Sequence, residues 1–314
     1  MYKHLIKTST VDMSRDEWLE HRRKTIGGSE AACILGLNPW TSPYSVWAEK
    51  LGKLPPRDDN EAMRQGRDLE SYVAQRFTED TGKKVRRENN ILVNPDYPFA
   101  HANVDRMIVG EDAGLECKTT STLNLKNFKN GAFPDTYYVQ CVHYMMVTGC
   151  RKWYLAVLVL NKAFMVFEIE RDEAEIEALA RSEADFWKLV ESQTTPIADG
   201  SSSTTETINT IFPDADGDSV SLFGFDADLE SYIALTKQIK ALETLKDEAA
   251  NKVKSFLENS SRGESDRYRV SWTAQTRQTF DVKEFAKDHP DIDLSHYYKT
   301  SKYRTFKVNE IKEN

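Results

Sequence analysis

Apolar positions along the first 190 residues recur with two periods, and the switches between them mark the elements. Ser14 and Glu17 stand in capping-box spacing and predict a helix running to about Lys24, with a basic last turn. Ile26-Gly27-Gly28-Ser29 reads as a glycine turn with Ser29 capping a short helix, and Ser42-Pro43 starts a third helix that stops near Gly52. From Asn60 to Thr81, with Gly82 as its stop, Ala62, Gly66, Leu69, Val73 and Phe77 share one narrow arc and Glu70 lies at its edge. Lys83 to Val93 reads as one strand. His101 to Val109 and Leu115 to Lys118 then form a hairpin across Glu111-Asp112-Ala113-Gly114. After an irregular stretch from Lys126 to Phe133, Asp135 is placed as the cap of a helix over Thr136 to Thr148 that Gly149 closes. Trp153 to Leu160 and Phe164 to Ile169 are a buried hairpin, and Arg171 to about Glu191 is an amphipathic helix. Helices flanking a mixed sheet, with the polar hairpin at its centre, make an α/β sandwich.

Beyond residue 193 the pattern changes. Residues 194–222 are polar and acidic and read as a linker, so the expected organisation is a domain over 1–193, the linker, and an appendage over 223–314. Within that appendage Leu229, Tyr232, Ile239, Leu242, Val253 and Phe256 give a helical stripe, expected as a coiled-coil or helical arm. Strands over Tyr268 to Phe280 and Tyr297 to Val308 are expected to flank a helix at Val282 to Asp288, a small α+β unit.

With 314 residues the chain can bury one large core plus an appendage. A formal net charge of −8 argues against nonspecific coating of nucleic acid, yet leaves room for a local basic groove or a metal-bridged phosphate site. No apolar run is long enough to span a bilayer and the start lacks a signal-peptide core, so no membrane association and a cytoplasmic location are expected. Cys33, Cys117, Cys141 and Cys150 match an iron–sulfur cluster in number, but without a Cys-x-x-Cys pair they read as reduced, mostly buried thiols.

The chemistry gathers on the hairpin. Side chains alternate along a strand, so Glu116 and Lys118 share a face while Cys117 points away, and Asp105 can lie beside them if the register allows. Two carboxylates aimed at one point can hold a hard divalent cation, and a neighbouring lysine can orient or deprotonate a water. A bare Glu-x-Lys is more often the surface ion pair of an exposed hairpin. Glu70 at the rim of a buried arc needs a metal or a basic partner to offset its desolvation. The helix start at Ser29, with an arginine nearby, is either a phosphate cradle or a plain N-cap.

Five segments occur in the order seen in phage alkaline exonucleases: Arg22 through Ser29, Gln65-Gly66-Arg67-Asp68-Leu69-Glu70, Asp105, Glu116-Cys117-Lys118, and Gln140-x-x-x-Tyr144. On these residues the chain resembles the YqaJ-type viral recombinase nucleases, is similar to the lambda exonuclease family and, more distantly, to RecB-type nuclease domains, from about Trp18 to Glu191. The resemblance implies a PD-(D/E)XK, restriction-endonuclease-like core that hydrolyses DNA with Mg2+ or Mn2+, two ions per active site, and no iron–sulfur cluster. It implies Asp105, Glu116 and the Cys117 carbonyl as metal ligands, Glu70 as a direct or water-mediated ligand, Lys118 as the residue positioning the attacking water, and Gln140 and Tyr144 as its supports. Arg22 and Ser29 match residues that anchor a 5′-terminal phosphate. Two departures stand out: Val104-Asp105-Arg106 replaces the family's Asp-Gly, and Asn124 stands where a further phosphate-binding arginine occurs. The implied partners are double-stranded DNA ends, a single-strand annealing protein, and further copies of the chain, a ring trimer being the family's precedent. An endonuclease or single-strand nuclease of the same fold, and a non-cutting DNA-end adapter, are the competing expectations.

Overall fold

The structure, a computed structural model, describes residues 4–56, 59–300 and 302–311. It divides into two compact units, Met1–Phe212 and Pro213–Asn314.

The first unit opens with strand β1 (Ile6–Ser9), helix α1 (Arg15–Arg23), a two-residue strand β2 (Ile26–Gly27), α2 (Gly28–Ile34) and α3 (Pro43–Lys50). Helix α4 (Glu61–Thr81) leads through Gly82, at φ +72°, into β3 (Val85–Arg87), β4 (Asn90–Val93), β5 (Ala100–His101), β6 (Arg106–Ile108) and β7 (Ala113–Thr120). A distorted 3-10 segment, Thr122–Gly131, precedes α5 (Asp135–Thr148), β8 (Lys152–Val159), β9 (Ala163–Glu170), α6 (Glu173–Glu191) and α7 (Ser202–Ile211). The main sheet has the order β3-β6-β7-β8-β9, antiparallel except for the parallel β7–β8 pair that α5 connects. It is therefore mixed, as expected.

Period-two alternation on β7 sorts its side chains between two helical layers. Leu115 packs with Val73, Ala74 and Phe77 of α4, while Met107, Trp153, Leu155 and Val157 pack with Cys141, Met145 and Met146 of α5 on the other face. Glu116 and Lys118 consequently face α5. Only the second half of α4 is covered: Ala62 is exposed, and burial starts near Gly66. None of the four cysteines, all among the described residues, is in a disulfide. No helix among the described residues is long and apolar enough to cross a membrane.

Several local expectations give way to tertiary context. The strand expected over Lys83 to Val93 breaks at Glu88-Asn89, because the buried Glu88 carboxylate accepts from Arg86 at 2.9 Å and from Asn90 at 2.6 Å and turns the chain, so that β3 joins the main sheet and β4 pairs with β1. The strand expected over His101 to Val109 is interrupted at residues 103–105, where the Asn103 carbonyl and the Asp105 side chain bond α5 and β7 instead of continuing a ladder. Ser29 lies inside α2. The cap position is Gly27, whose N–H donates to Glu30 Oε2 at 2.8 Å. Asp135 is the first residue of α5, after Pro134, and makes no cap bond.

The linker reading of 194–222 is corrected by α7, whose Ser203 and Thr207 hydroxyls lie 2.7 Å from Ser45 Oγ of α3 and seat the helix in the first unit. A run of small hydroxyl residues reads as flexible until a matching polar pocket is present. The second unit consists of the long helix α8 (Asp226–Leu257), a short hairpin β10 (Arg262–Glu264) with β11 (Arg269–Ser271), and α9 (Val282–Asp288). Helix α9 falls where expected. Of the strand expected over Tyr268 to Phe280 only residues 269–271 pair, and none of the described residues of the other forms a strand. Tyr297, Tyr298, Tyr303 and Phe306 stay exposed.

Candidate active site

The ladder between β6 and β7 ends at Arg106–Leu115, so β7 beyond that point shows a bare backbone edge in the middle of the sheet. Asp105, one residue before β6, fills it with a side chain: its Oδ2 accepts the Cys117 N–H at 2.8 Å. N–H and C=O of one strand residue point to the same neighbour, so the Cys117 carbonyl faces the same opening. Burial, and then the nearby charges of Glu116 and Glu70, push the Asp105 carboxyl well above its ordinary range. Carboxylates crowded in this way are the electrostatic signature of a place suited to a cation.

The helix α5 closes the other side. Gln140 Nε2 donates to Glu116 Oε1 at 2.7 Å and lies 2.8 Å from the Tyr144 hydroxyl, while its Oε1 accepts from Lys118 Nζ at 2.9 Å. Lys118 Nζ is also 2.6 Å from Glu116 Oε1, and the Tyr144 hydroxyl donates to the Asn103 carbonyl at 3.2 Å. Every polar atom of Gln140 is thus used, and the two residues on one face of the helix fix the two on one face of the strand. Burial works against the Lys118 ammonium, but Glu116 and Asp105 outweigh it and raise its pKa above the usual lysine value. Lys118 is therefore a charged donor.

Glu70, from α4, is ion-paired to Arg106, whose guanidinium also donates to the Asp105 carbonyl at 2.6 Å. Arg106 was not among the expected site residues, and nothing in its spacing marks it. Among the described residues no three acidic, histidine or cysteine side chains are grouped to hold an ion, and Glu70 is engaged by Arg106. What the site offers a hard cation is the Asp105 carboxylate, the Cys117 carbonyl, and Glu116 Oε2, a buried oxygen without a hydrogen-bond partner. An orphaned anionic oxygen beside a crowded carboxyl fits a divalent ion bound through oxygen.

Arg22 and Ser29 also come together. Arg22 Nη2 donates to Ser29 Oγ at 3.1 Å and to Glu30 Oε1 at 3.2 Å, and its guanidinium stacks over Trp18 at 4.9 Å. Under them Lys50 Nζ donates to Glu30 Oε2 at 2.6 Å and to the carbonyls of Arg22 and Thr25 at 2.5 and 2.7 Å. Burial opposes the Glu30 charge, but Lys50 and Arg22 overcome it and lower its carboxyl to about 2. Two cations meet Glu30 here, and the Glu49 carboxylate lies near enough to act on both, so the corner is balanced in charge and what it offers an anion is the Arg22 guanidinium beside the Ser29 hydroxyl. Neither Glu30 nor Lys50 was expected here. Gly28 joins the corner to the acidic cluster, because its Cα lies against the Tyr144 ring and Gln140. Asn124 lines a separate cleft with Trp40, Thr120 and Tyr137, and Thr120 continues the strand face that carries Glu116 and Lys118.

Comparison with known proteins gives three findings. A family model described as the YqaJ-like viral recombinase domain matches residues 17–151. The uncharacterized protein YqaJ of Bacillus subtilis (strain 168) is 39% identical over 307 residues, 96% of this chain and 96% of that one. Among solved structures, LHK-Exo, an alkaline exonuclease from Laribacter hongkongensis crystallised in complex with dAMP, is 21% identical with a TM-score of 0.50 over 57% of this chain and 93% of its own. That last likeness shows a shared fold.

Proposed function

This chain belongs to the YqaJ-like viral recombinase family, and from that premise we propose that it is a metal-dependent deoxyribonuclease that resects duplex DNA ends from the 5′ side. The observation that carries the reading is the closed set Glu116–Lys118–Gln140 beside Asp105, with one buried Glu116 oxygen left without a partner. The exonuclease fold of LHK-Exo is consistent with it.

On this reading Asp105, Glu116 and the Cys117 carbonyl would hold a divalent ion, and Glu70 would be a further ligand, directly or through water. Bound Mg2+ or Mn2+ supplies Lewis-acid stabilisation of the charge that develops on the phosphate and on the leaving oxygen. The charged Lys118 donates to the attacking water and orients it rather than taking its proton. Gln140 holds that ammonium at one angle, and Tyr144 holds Gln140. Arg106 keeps Glu70 aimed at the site. Arg22 and Ser29 receive the terminal phosphate, using guanidinium donors that Glu30 does not consume. The expected partners are duplex ends, a single-strand annealing protein that loads on the strand left behind, and further copies of the chain, a closed ring giving processive digestion in a bacterial cytoplasm.

The test sets linear duplex with and without a 5′-phosphate beside closed circular DNA, each with Mg2+ and with chelator. Resection predicts loss of the linear substrate alone, faster with the phosphate and abolished by chelation. Degradation of the circle replaces end resection with internal cutting, and end binding without turnover leaves a non-cutting adapter.

A further inference from the structure

Helix α8 is 32 residues long, yet Leu257, at its last position, is its only buried side chain among the described residues. Helices in water draw most of their stability from packing an apolar face, and this one leaves such a face bare. The face is regular. Tyr232, Ile239, Lys246 and Val253 recur every seven residues, and Leu235, Leu242, Ala249 and Phe256 recur between them at the three-four alternation of a heptad. The six large apolar members are 43–89% exposed, and Tyr232 alone has an aromatic neighbour, the Phe306 ring at 5.4 Å.

We propose that α8 forms a parallel two-stranded coiled coil with a second copy of this chain. The composition of the seam selects that occupant. β-Branched residues at the first heptad position, here Ile239 and Val253, with leucine at the fourth, here Leu235 and Leu242, favour two parallel strands. One polar residue at a first position, Lys246, fixes register at a cost in stability, its stem packing while the ammonium reaches water. The flanking positions suit self-pairing too: Gln238 of one copy meets Glu243 of the other and Leu245 meets Ala250, so no like charges are opposed. The exposed apolar side chains contribute on the order of 100 Å2 each. Pairing two helices thus covers roughly 1,200 Å2, the lower edge of stable, specific interfaces. The strict seven-residue repeat supercoils the pair left-handedly. None of this depends on the nuclease reading.

The full chain at tens of micromolar is measured by light scattering or sedimentation, with Leu242→Asp, Lys246→Leu and Ile239→Cys beside it. The parent mass should be an even multiple of one chain. Leu242→Asp, at an exposed position that leaves the fold untouched, should halve it, and Lys246→Leu should tighten the dissociation constant at least about tenfold. Ile239→Cys should cross-link the two copies on mild oxidation, since a parallel, in-register pair sets position 239 against itself. A monomeric parent, a mass indifferent to Leu242→Asp, or an Ile239→Cys assembly that does not cross-link would overturn the proposal. Nuclease activity retained by a Leu242→Asp protomer separates this outcome from failure of the proposed function.

Discussion

Replacing Gly28 by alanine offers the sharpest check on the site, because two effects of opposite sign compete. Gly28 is in a helix, where alanine ordinarily stabilises by about 0.5–1 kcal/mol. Its Cβ, however, would stand 2.6 Å from Tyr144 Cε1, 3.0 Å from Cζ and 3.2 Å from Gln140 Cγ. Carbon atoms pack comfortably at roughly 3.5–4.0 Å, so the ring must move by about 1 Å. Tyr144 is 5% exposed, and its hydroxyl is tied to Gln140 at 2.8 Å and to Asn103 at 3.2 Å, so the ring cannot move without breaking those bonds. Overpacking costs about 1–3 kcal/mol and a deserted buried hydroxyl about 1–3 more, which exceeds the helical gain. The expected outcome is a net loss of about 1–5 kcal/mol, a melting temperature lower by roughly 2–20 °C, and a kcat lower by roughly 10–100-fold as Gln140 loses its hold on Lys118. Calorimetry and single-turnover digestion of an end-labelled duplex read the two quantities. Gly66→Ala is the matched control. It sits in α4 with its nearest neighbour, Thr119 Oγ1, at 3.8 Å, and should gain about 0.5–1 kcal/mol with unchanged activity. A Gly28→Ala protein that behaves like Gly66→Ala would refute the argument that this contact sets the geometry of Gln140.

Other substitutions and pH scans test separate parts of the structure. Lys118→Ala should abolish cleavage while DNA binding, followed by anisotropy with Ca2+ in place of Mg2+, survives; residual turnover within tenfold of the parent would exclude its role. Gln140→Leu leaves Lys118 and Tyr144 without their amide and should lower kcat by roughly 10–100-fold with little change in KM, a split that a purely structural role would not give. Glu30, lowered to about 2, contributes stability that is complete above its unfolded value and is lost as pH falls through the folded one, about 3 kcal/mol in all; Glu30→Gln should flatten the acid limb of melting temperature against pH, and an unchanged limb would disprove it. His143 is buried, which disfavours its charge, but Glu183 at 2.7 Å more than compensates and raises its pKa. Its contribution is therefore complete below the ordinary histidine value and is lost as pH rises through the folded one. A melting temperature flat across that range, or a slope that persists in His143→Gln, would contradict the pairing.

What the sequence makes legible here is what acts locally. Ser14 with Glu17, Ser42 before Pro43, Asn60, Gly82 and Gly149 each set a helix end through bonds within one turn, and α1, α3, α4 and α5 start or stop there. The sharing of a face by Gln140 and Tyr144, and by Glu116 and Lys118, follows from helix and strand periods alone. Bonds between distant segments leave no such trace. β2 and β5 are two residues each and exist only because Ile26 pairs with Ala100, and the Lys50–Glu30 ion pair joins two helices with no shared period. Arg106 is hidden for another reason: a strand pattern reports that it is on β6 without reporting that its side chain reaches across to α4 to hold Glu70. The placement of Ser29 as a cap fails because Glu30, one residue on, reaches back to Gly27 and starts the helix earlier.

The parallel pairing of β7 with β8 carries a consequence for the order in which this protein is made. Leaving the ribosome, Glu116 and Lys118 emerge well ahead of Gln140 and Tyr144, and β7 has no right-hand neighbour until the polypeptide has crossed over through α5 and returned as far as Val159. A nascent chain halted before that return has only the three strands β3, β6 and β7 of the main sheet to carry the acids and the ammonium, with no amide to clamp them. The clamped arrangement therefore forms only once β8 is in place, so a truncated translation product would lack the site on which the proposed function rests.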